Sequence, residues 1–591
     1  MKLIKTLIIL PILVLALVGC KDDDDATLPT VSAKNGFDLT LSYDIRVGET
    51  LTFTASDNWT VSDLNDAMVS LSKTSGGAGE NTIKVKARDY NCTNEDAHYT
   101  FSITSTNEHG TSNVKVYLTH EPVFVVDTLD YEADALGDTI DIHVRSKALA
   151  KYPVYVYQDV RTDAEQMVRN ISEANLAKAQ TKASGDNMQC LGVVSPTRAA
   201  NSSEEVTLHI VISPNTTSRI RKGVLWLAAG DTGGMFSDGI LITQLPADSY
   251  CSQDMETEDG KVTQLQKHKK GKGVPVVIMG DGFLDRDITG GKYREATNMA
   301  MEALFSVHPM TALRDYFDVY EVTAVSYNDY FSTSSSTAFS SQFASYTSTE
   351  ISGDNDKAME YAAKAVGEGA GIENALIIIL VNEDRYAGTC YMYSGYEATD
   401  IPRGCSVAYV PLTASGDDQT DFEGTILHEA IGHGFAKLAD EYDDVELVKI
   451  PDKEKQDLQK RQKYGLYRNV VFDSDVTKSY WADFAADSRY LSEHLGCYEG
   501  GATYALGVYR PTENSIMNDN TGGFNVAGRV MIYKRCMSIA LGSSWKYSYA
   551  DFTAFDLEEG KAEASGRRKS PVKRSGRFVP LATPKVIMRS K

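Results

Sequence analysis

The chain has 591 residues, too many for one hydrophobic core, and a length prior predicts roughly three or four domains. With 42% hydrophobic and 24% charged residues it reads as globular, which excludes a disordered chain and a multispan membrane protein. A formal net charge of −22 argues against nucleic acid as a partner, because a polyanion is bound by a basic field.

The first residues, MKLIKTLIILPILVLALVGC, combine a lysine-bearing start, an apolar run and small residues before Cys20. This is the pattern of a secretory signal, and LVGC resembles the lipobox of bacterial lipoproteins, which implies lipidation of Cys20. The run from Leu7 to Val18 falls short of the about 18 apolar residues expected of a span, so a lipid anchor is expected rather than a membrane helix. KDDDDA, Lys21 to Ala26, resembles the acidic export signal that sends some lipoproteins to the outer face of the outer membrane. The expected location is therefore the cell surface, with membrane contact only through Cys20. Residues 1–20 are read as the signal and 21–34 as an acidic linker.

Residues 35–121 show short alternating runs such as ETLTFTAS, NTIKVKAR and HYTFSITST between turn-rich stretches, the pattern of a β-sandwich. A related rhythm from 122 to 248 predicts a second sandwich, with a helical insertion at DAEQMVRNISEANLAKAQTKAS. Both resemble BACON-type modules, on NWTVS (Asn58 to Ser62), SLSKTSGGAGENTIKV and the strand endings YLTH and ITQ. The resemblance implies glycan or mucin binding or a spacer role, and the spacer is favoured. Residues 249–273 read as a polar linker.

From 274 to 556 strands alternate with helices: VPVVIMG, FDVYEVTAVS, ALIIILVNE and SVAYVPL are apolar enough to be buried on both faces, which predicts an α/β sheet. Residues 557–591 read as a basic tail, extended or poorly ordered. Seven cysteines follow Cys20, and an exported chain permits disulfides. The closest pairs in this domain are Cys390 with Cys405 and Cys497 with Cys536, but the sequence leaves connectivity open.

The chemistry sits in TILHEAIGHGFAKLADEY. In HExxH, residues four apart lie about 40° apart around an α-helix, so two imidazoles meet one zinc ion, and the glutamate serves as general base. Here His428 and His433 are five apart, about 140° round an ideal helix. A π-type turn eased by Gly432 would bring them together. The HExxGH form is similar to the zinc motif of the dipeptidyl-peptidase III family. The acidic run from Asp440 to Asp444 would disfavour a helix C-terminus unless a cation offset it.

Together, HEAIGHGFAKLADEY, VPVVIMGDGF and RPTENSIMND resemble the IgA-metallopeptidase family of bacterial zinc endopeptidases. The resemblance, over about Gly273 to Phe555, implies that the two all-β sandwiches are followed by an α/β, metzincin-like domain that cleaves protein or glycoprotein, with His428 and His433 as metal ligands and Glu429 as general acid/base. Asp440 is the expected third ligand and Glu441 the alternative; His494 is a weaker candidate. Met517, in SIMND, resembles a Met-turn. Tyr442 and Tyr509 are candidate oxyanion donors. Asp281, in GDGF, is read as a turn residue, with a structural Ca2+ as the other reading. Strand SVAYVPL is expected at a sheet edge, where it would pair with substrate. The rival readings are a catalytically inactive surface protein binding glycan or host protein, and metal-dependent amide hydrolysis on peptidoglycan.

Overall fold

The computed structural model of the chain describes residues 28–172, 176–177, 188–194, 204–217, 220–230, 234–246, 251–332, 335–346, 348–413, 422–443, 449–520, 522–563 and 580–589. The signal sequence, Cys20 and the first half of the acidic linker, 21–27, lie outside them. Among the described residues no helix is long and apolar enough to cross a membrane.

Period-two alternation builds the first unit. Along Glu49–Ala55 the residues Leu51, Phe53 and Ala55 are buried while the threonines between them are exposed. A four-stranded sheet, with Glu49–Ala55 and Gly79–Ala87 at its centre, shares one core with a five-stranded sheet centred on Gly110–His120 and Ala97–Asn107. Trp59 of NWTVS is buried in that core, edge-to-face against Phe53 at 5.0 Å.

The second unit again packs two sheets, of four and six strands, on a common core that includes Ile142, Val156, Ile210 and Leu227. Among the described residues of the expected helical insertion, only Ala164–Met167 is helical. Beyond it, Val168–Ser172 pairs with Glu205–Ile212, and Leu176–Ala177 pairs with Met188–Val194. β-branched Val168 and Ile171 fit a ladder beside an existing strand, so tertiary pairing overrides the helical propensity around them. Residues 173–175 and 178–184 of the insertion lie outside the described residues.

The third unit is built on a seven-stranded sheet. Its strands are β1 (Val262–Gln266), β2 (Val274–Asp281), β3 (Phe317–Val322), β4 (Leu376–Val381), β5 (Thr389–Gly395), β6 (Ser406–Pro411) and β7 (Lys585–Arg589). Their order is β1-β3-β2-β4-β6-β5-β7. Strands β3, β2, β4 and β6 are parallel, whereas β5 runs antiparallel to β6. The continuous apolar runs divide between two faces: Ile278, Leu376 and Ile378 enter one core with the helix that carries His428 and His433, and Val277, Met279, Ile377 and Ile379 enter another with Ala358 and Ala362 of helix Asn355–Val366.

Three expectations change here. The supposed linker contributes β1, paired antiparallel with β3. SVAYVPL supplies β6, enclosed between β4 and β5, and not an edge: every residue from Ser406 to Pro411 is buried, as an interior strand requires. The supposed tail is only partly a tail. Helix Tyr549–Glu563 runs into it, and β7 adds a strand parallel to β5, because VIM in the basic surroundings has strand character and apolar faces to bury. The seven described cysteines are all free, with no disulfide among them.

Candidate active site

Helix Phe422–Ile426 is α-helical and passes directly into a π-helix, Leu427–Phe435. The wider turn is visible in the bond from Ala436 N–H to Ile431 O, 2.8 Å, five residues back. Residues five apart then share a face, and the His428 and His433 rings stand 4.7 Å apart. Gly432 makes room on the far side: a Cβ there would collide with Met517 Sδ and stand 2.9 Å from its Cε. The expected helix to Tyr442 is shorter than the motif. The chain leaves it through Lys437, in left-handed conformation at φ 57, and the acidic run lies in the following loop, away from the helix dipole.

That loop delivers Asp440. Asn469 brackets its start, accepting from Ala439 N–H and donating to Ala439 O, both at 2.8 Å. Ala502 N–H donates to Asp440 O, and Glu441 N–H to Met517 O, each at 2.8 Å. So held, Asp440 Oδ1 lies 3.1 Å from both His428 Nε2 and His433 Nε2. The opposite ring nitrogens donate to backbone carbonyls: His428 Nδ1 to Ile516 O at 3.0 Å and His433 Nδ1 to Leu438 O at 2.9 Å. Those bonds place the lone pairs on the two Nε2 atoms, which face the carboxylate, the arrangement a metal requires of imidazole ligands.

His428, His433 and Asp440 are the group of three metal-capable side chains found among the described residues, with ligand atoms within 4.8 Å of one another. Burial raises the Asp440 carboxyl, and positive charge placed at the two imidazoles brings it down to about 2, the electrostatic role a bound cation would fill. Glu429 is fully buried beside them, and neither of its carboxylate oxygens has a hydrogen-bond partner. Burial, with Asp440 adding to it against His428, pushes Glu429 up to about 8. His433 Nε2 is likewise without a hydrogen bond despite its 3.1 Å distance to Asp440. Buried polar atoms left unpaired in one spot fit a site meant for a cation, which would offset the cost of burying these carboxylates.

Glu441, the alternative ligand, points elsewhere. Its carboxylate accepts from Asn469 Nδ2 (2.9 Å), Ser515 Oγ (2.7 Å) and Asn525 Nδ2 (3.0 Å), a network that ties the loop to the Met517 turn. His494 is exposed and engaged through its backbone: its N–H donates to Leu491 O at 3.2 Å, and its carbonyl accepts from the Tyr498 hydroxyl at 2.8 Å. Tyr442 stacks on His428 with centroids 6.5 Å apart, and its hydroxyl donates to Leu581 O at 2.7 Å. Burial first, then the Asp440 and Glu429 charges, raise its pKa well above the usual phenol value, so it remains a proton donor. Tyr509 has its hydroxyl on Glu499, 3.3 Å away, and takes no part in the cluster. Asp281 accepts from Gly282 N–H, Ser326 Oγ, Thr337 Oγ1, Phe339 N–H and Ser341 N–H, so hydrogen-bond donors fill the positions a calcium ion would need.

Two neighbours of the site were not singled out from sequence. A Cβ at Gly388, just before β5, would stand 2.8 Å from Glu429 Cγ and Oε1, so the close passage of β5 depends on glycine. Tyr386, on the same loop, lies near Tyr442 and accepts from Asn520 Nδ2 at 3.1 Å. Neither carried a motif; an isolated glycine before a strand was the sole signal.

Residues 263–490 match the model of the IgA Peptidase M64 family. The matched stretch is less than half of the chain, and it contains the π-helix and Asp440 but not Met517. For that stretch the match points to a peptidase of metal-dependent type. No curated protein matches the chain. Solved structures with some likeness include the titin Ig tandem domains, 9% identical over 37% of this chain and 97% of that one, TM-score 0.16. Zebrafish RET cadherin-like domains 1 to 4 give 13% identity over 37% of this chain and 51% of theirs, TM-score 0.16. Likenesses this low carry no argument.

Proposed function

We propose that the chain is a zinc-dependent endopeptidase acting on extracellular proteins, held at the cell surface by a lipid on Cys20. The observation that carries the proposal is the meeting of His428, His433 and Asp440 at one buried point, with the unpaired Glu429 carboxylate beside it. His428, His433 and Asp440 would hold the zinc, which supplies Lewis acidity toward a water and the scissile carbonyl. Glu429 takes the proton of the attacking water and returns it to the leaving amine. The Tyr442 hydroxyl donates to the carbonyl oxygen as negative charge develops there. Ile516 O and Leu438 O keep both imidazoles turned toward the site through each step.

The localisation proposal rests on LVGC and KDDDDA, and the substrate class on the family match. Metal content of the purified protein, together with casein and mucin hydrolysis by the parent and Glu429→Ala chains, tests the proposal. Stoichiometric zinc with hydrolysis lost in the variant is expected. Absence of zinc, or equal activity in the two chains, would favour the rival reading as a surface binding protein.

A further inference from the structure

The segment 580–589 lies along β5 of the sheet and reaches Tyr442 beside the site. Strand β7 pairs in parallel with β5, Lys585 opposite Tyr391 and Arg589 opposite Gly395. Counting back along that register places Ala582 opposite Gly388, the residue that abuts Glu429. Thr349 links the two there: its Oγ1 donates to Pro580 O at 3.1 Å, and its carbonyl accepts from Gly388 N–H at 3.0 Å. Leu581 is 3% exposed, and its carbonyl accepts from the Tyr442 hydroxyl that stacks on His428.

The site beneath the segment is buried. His428, Glu429, His433 and Asp440 are all between 0 and 3% exposed, although a hydrolase must admit a peptide to them. The docking is specific along its length. Val586 and Ile587 pack against the cores on opposite faces of the sheet, Lys585 Nζ lies 2.9 Å from Glu350, and the Arg589 guanidinium lies 4.0 Å over the Tyr393 ring. Pro580 and Pro584 fix φ near −65° and favour an extended chain, so little conformational freedom is lost on docking.

The geometry points to residues 580–589 as an intramolecular occupant of the substrate groove: the segment takes the backbone-pairing edge of β5 and the carbonyl position at Tyr442 that an extended peptide substrate would use. Displacing it uncovers the site. This inference rests on the reading of the site as a peptidase.

The test uses the full chain. Tyr391→Cys with Lys585→Cys, opposite each other in the register, locks the segment on oxidation, and Ile587→Asp loosens it. Two rates are read: kcat/KM on a quenched extended peptide, and zinc release to a chelator from the loaded protein. We expect at least a tenfold fall in both rates in the oxidised pair, reversed by reduction, and at least a tenfold rise in Ile587→Asp. Should the aspartate variant fail to fold, the oxidised and reduced states of the cysteine pair still give the comparison within one protein. Cleavage and release rates that are the same in locked and unlocked states would overturn the plug and leave the peptidase reading intact. Release rates that follow the lock, with no cleavage in any state, would support the plug and sink the peptidase reading.

Discussion

Met517 fills the space that a side chain on Gly432 would need, with Sδ in direct collision and Cε 2.9 Å from any Cβ placed there. The residue before it, Ile516, supplies the carbonyl that holds His428 Nδ1 at 3.0 Å. One short helix, Ile516–Asp519, therefore both fits the flattened face of the π-helix and orients a metal-facing imidazole.

Gly432→Ala is expected to cost about 1–3 kcal/mol through overpacking against Met517. Introducing Met517→Ala in the same chain should recover part of that loss, with a coupling energy of about 0.5–3 kcal/mol in a double-mutant cycle followed by urea unfolding. Strict additivity would show that the glycine serves some other purpose.

Asp440 and Glu441 should separate cleanly. Asp440→Asn is expected to weaken zinc binding by at least tenfold with little loss of fold stability. Glu441→Ala leaves Asn469, Ser515 and Asn525 without their shared acceptor in a buried place, which costs about 3 kcal/mol, while zinc stoichiometry at saturating metal is retained. Metal titration and thermal melts of the two variants decide it.

Glu429→Gln keeps the shape and removes the base. Hydrolysis should fall by roughly 10²–10⁴-fold, with zinc content unchanged. Loss of the metal in this variant would make Glu429 a ligand and not the proton carrier.

Acid sensitivity should arise partly far from the site. Burial would raise the Asp556 carboxyl, but His308 and Arg529, each 2.8 Å from it, hold it well below the usual carboxylate range. A folded-state pKa below the unfolded value of about 3.9 gives stability that is present above that value and lost as pH falls through the folded one. Asp556→Asn is therefore expected to cost about 3–5 kcal/mol at pH 7, by leaving buried Arg529 short of a partner, and to flatten the decline below about pH 4. Urea unfolding of metal-free protein across pH 7 to 3 measures both effects.

Much of this could be read from sequence where the signal was local. The five-residue spacing of His428 and His433 called for a π-turn if the two were to share an ion, and the continuous apolar strands announced a sheet buried on both faces. Signals that depend on distant partners were hidden. Glu441 looks like a ligand in DEY until Asn469, Ser515 and Asn525 arrive from three other segments. Val168 and Ile171 sit in a helix-forming composition until Glu205–Ile212 offers them a ladder. Likewise, VIM in a basic stretch becomes a strand only because β5 leaves an edge for it.

The central claim is that the π-helix brings His428 and His433 to one ion with Asp440. X-ray absorption at the zinc edge of the loaded protein, with His433→Ala alongside, tests it most directly. The account predicts one zinc per chain with two imidazoles and a carboxylate oxygen at about 2.0–2.2 Å, and loss of one imidazole in the variant. No bound zinc, or a spectrum unchanged by removal of His433, would contradict it.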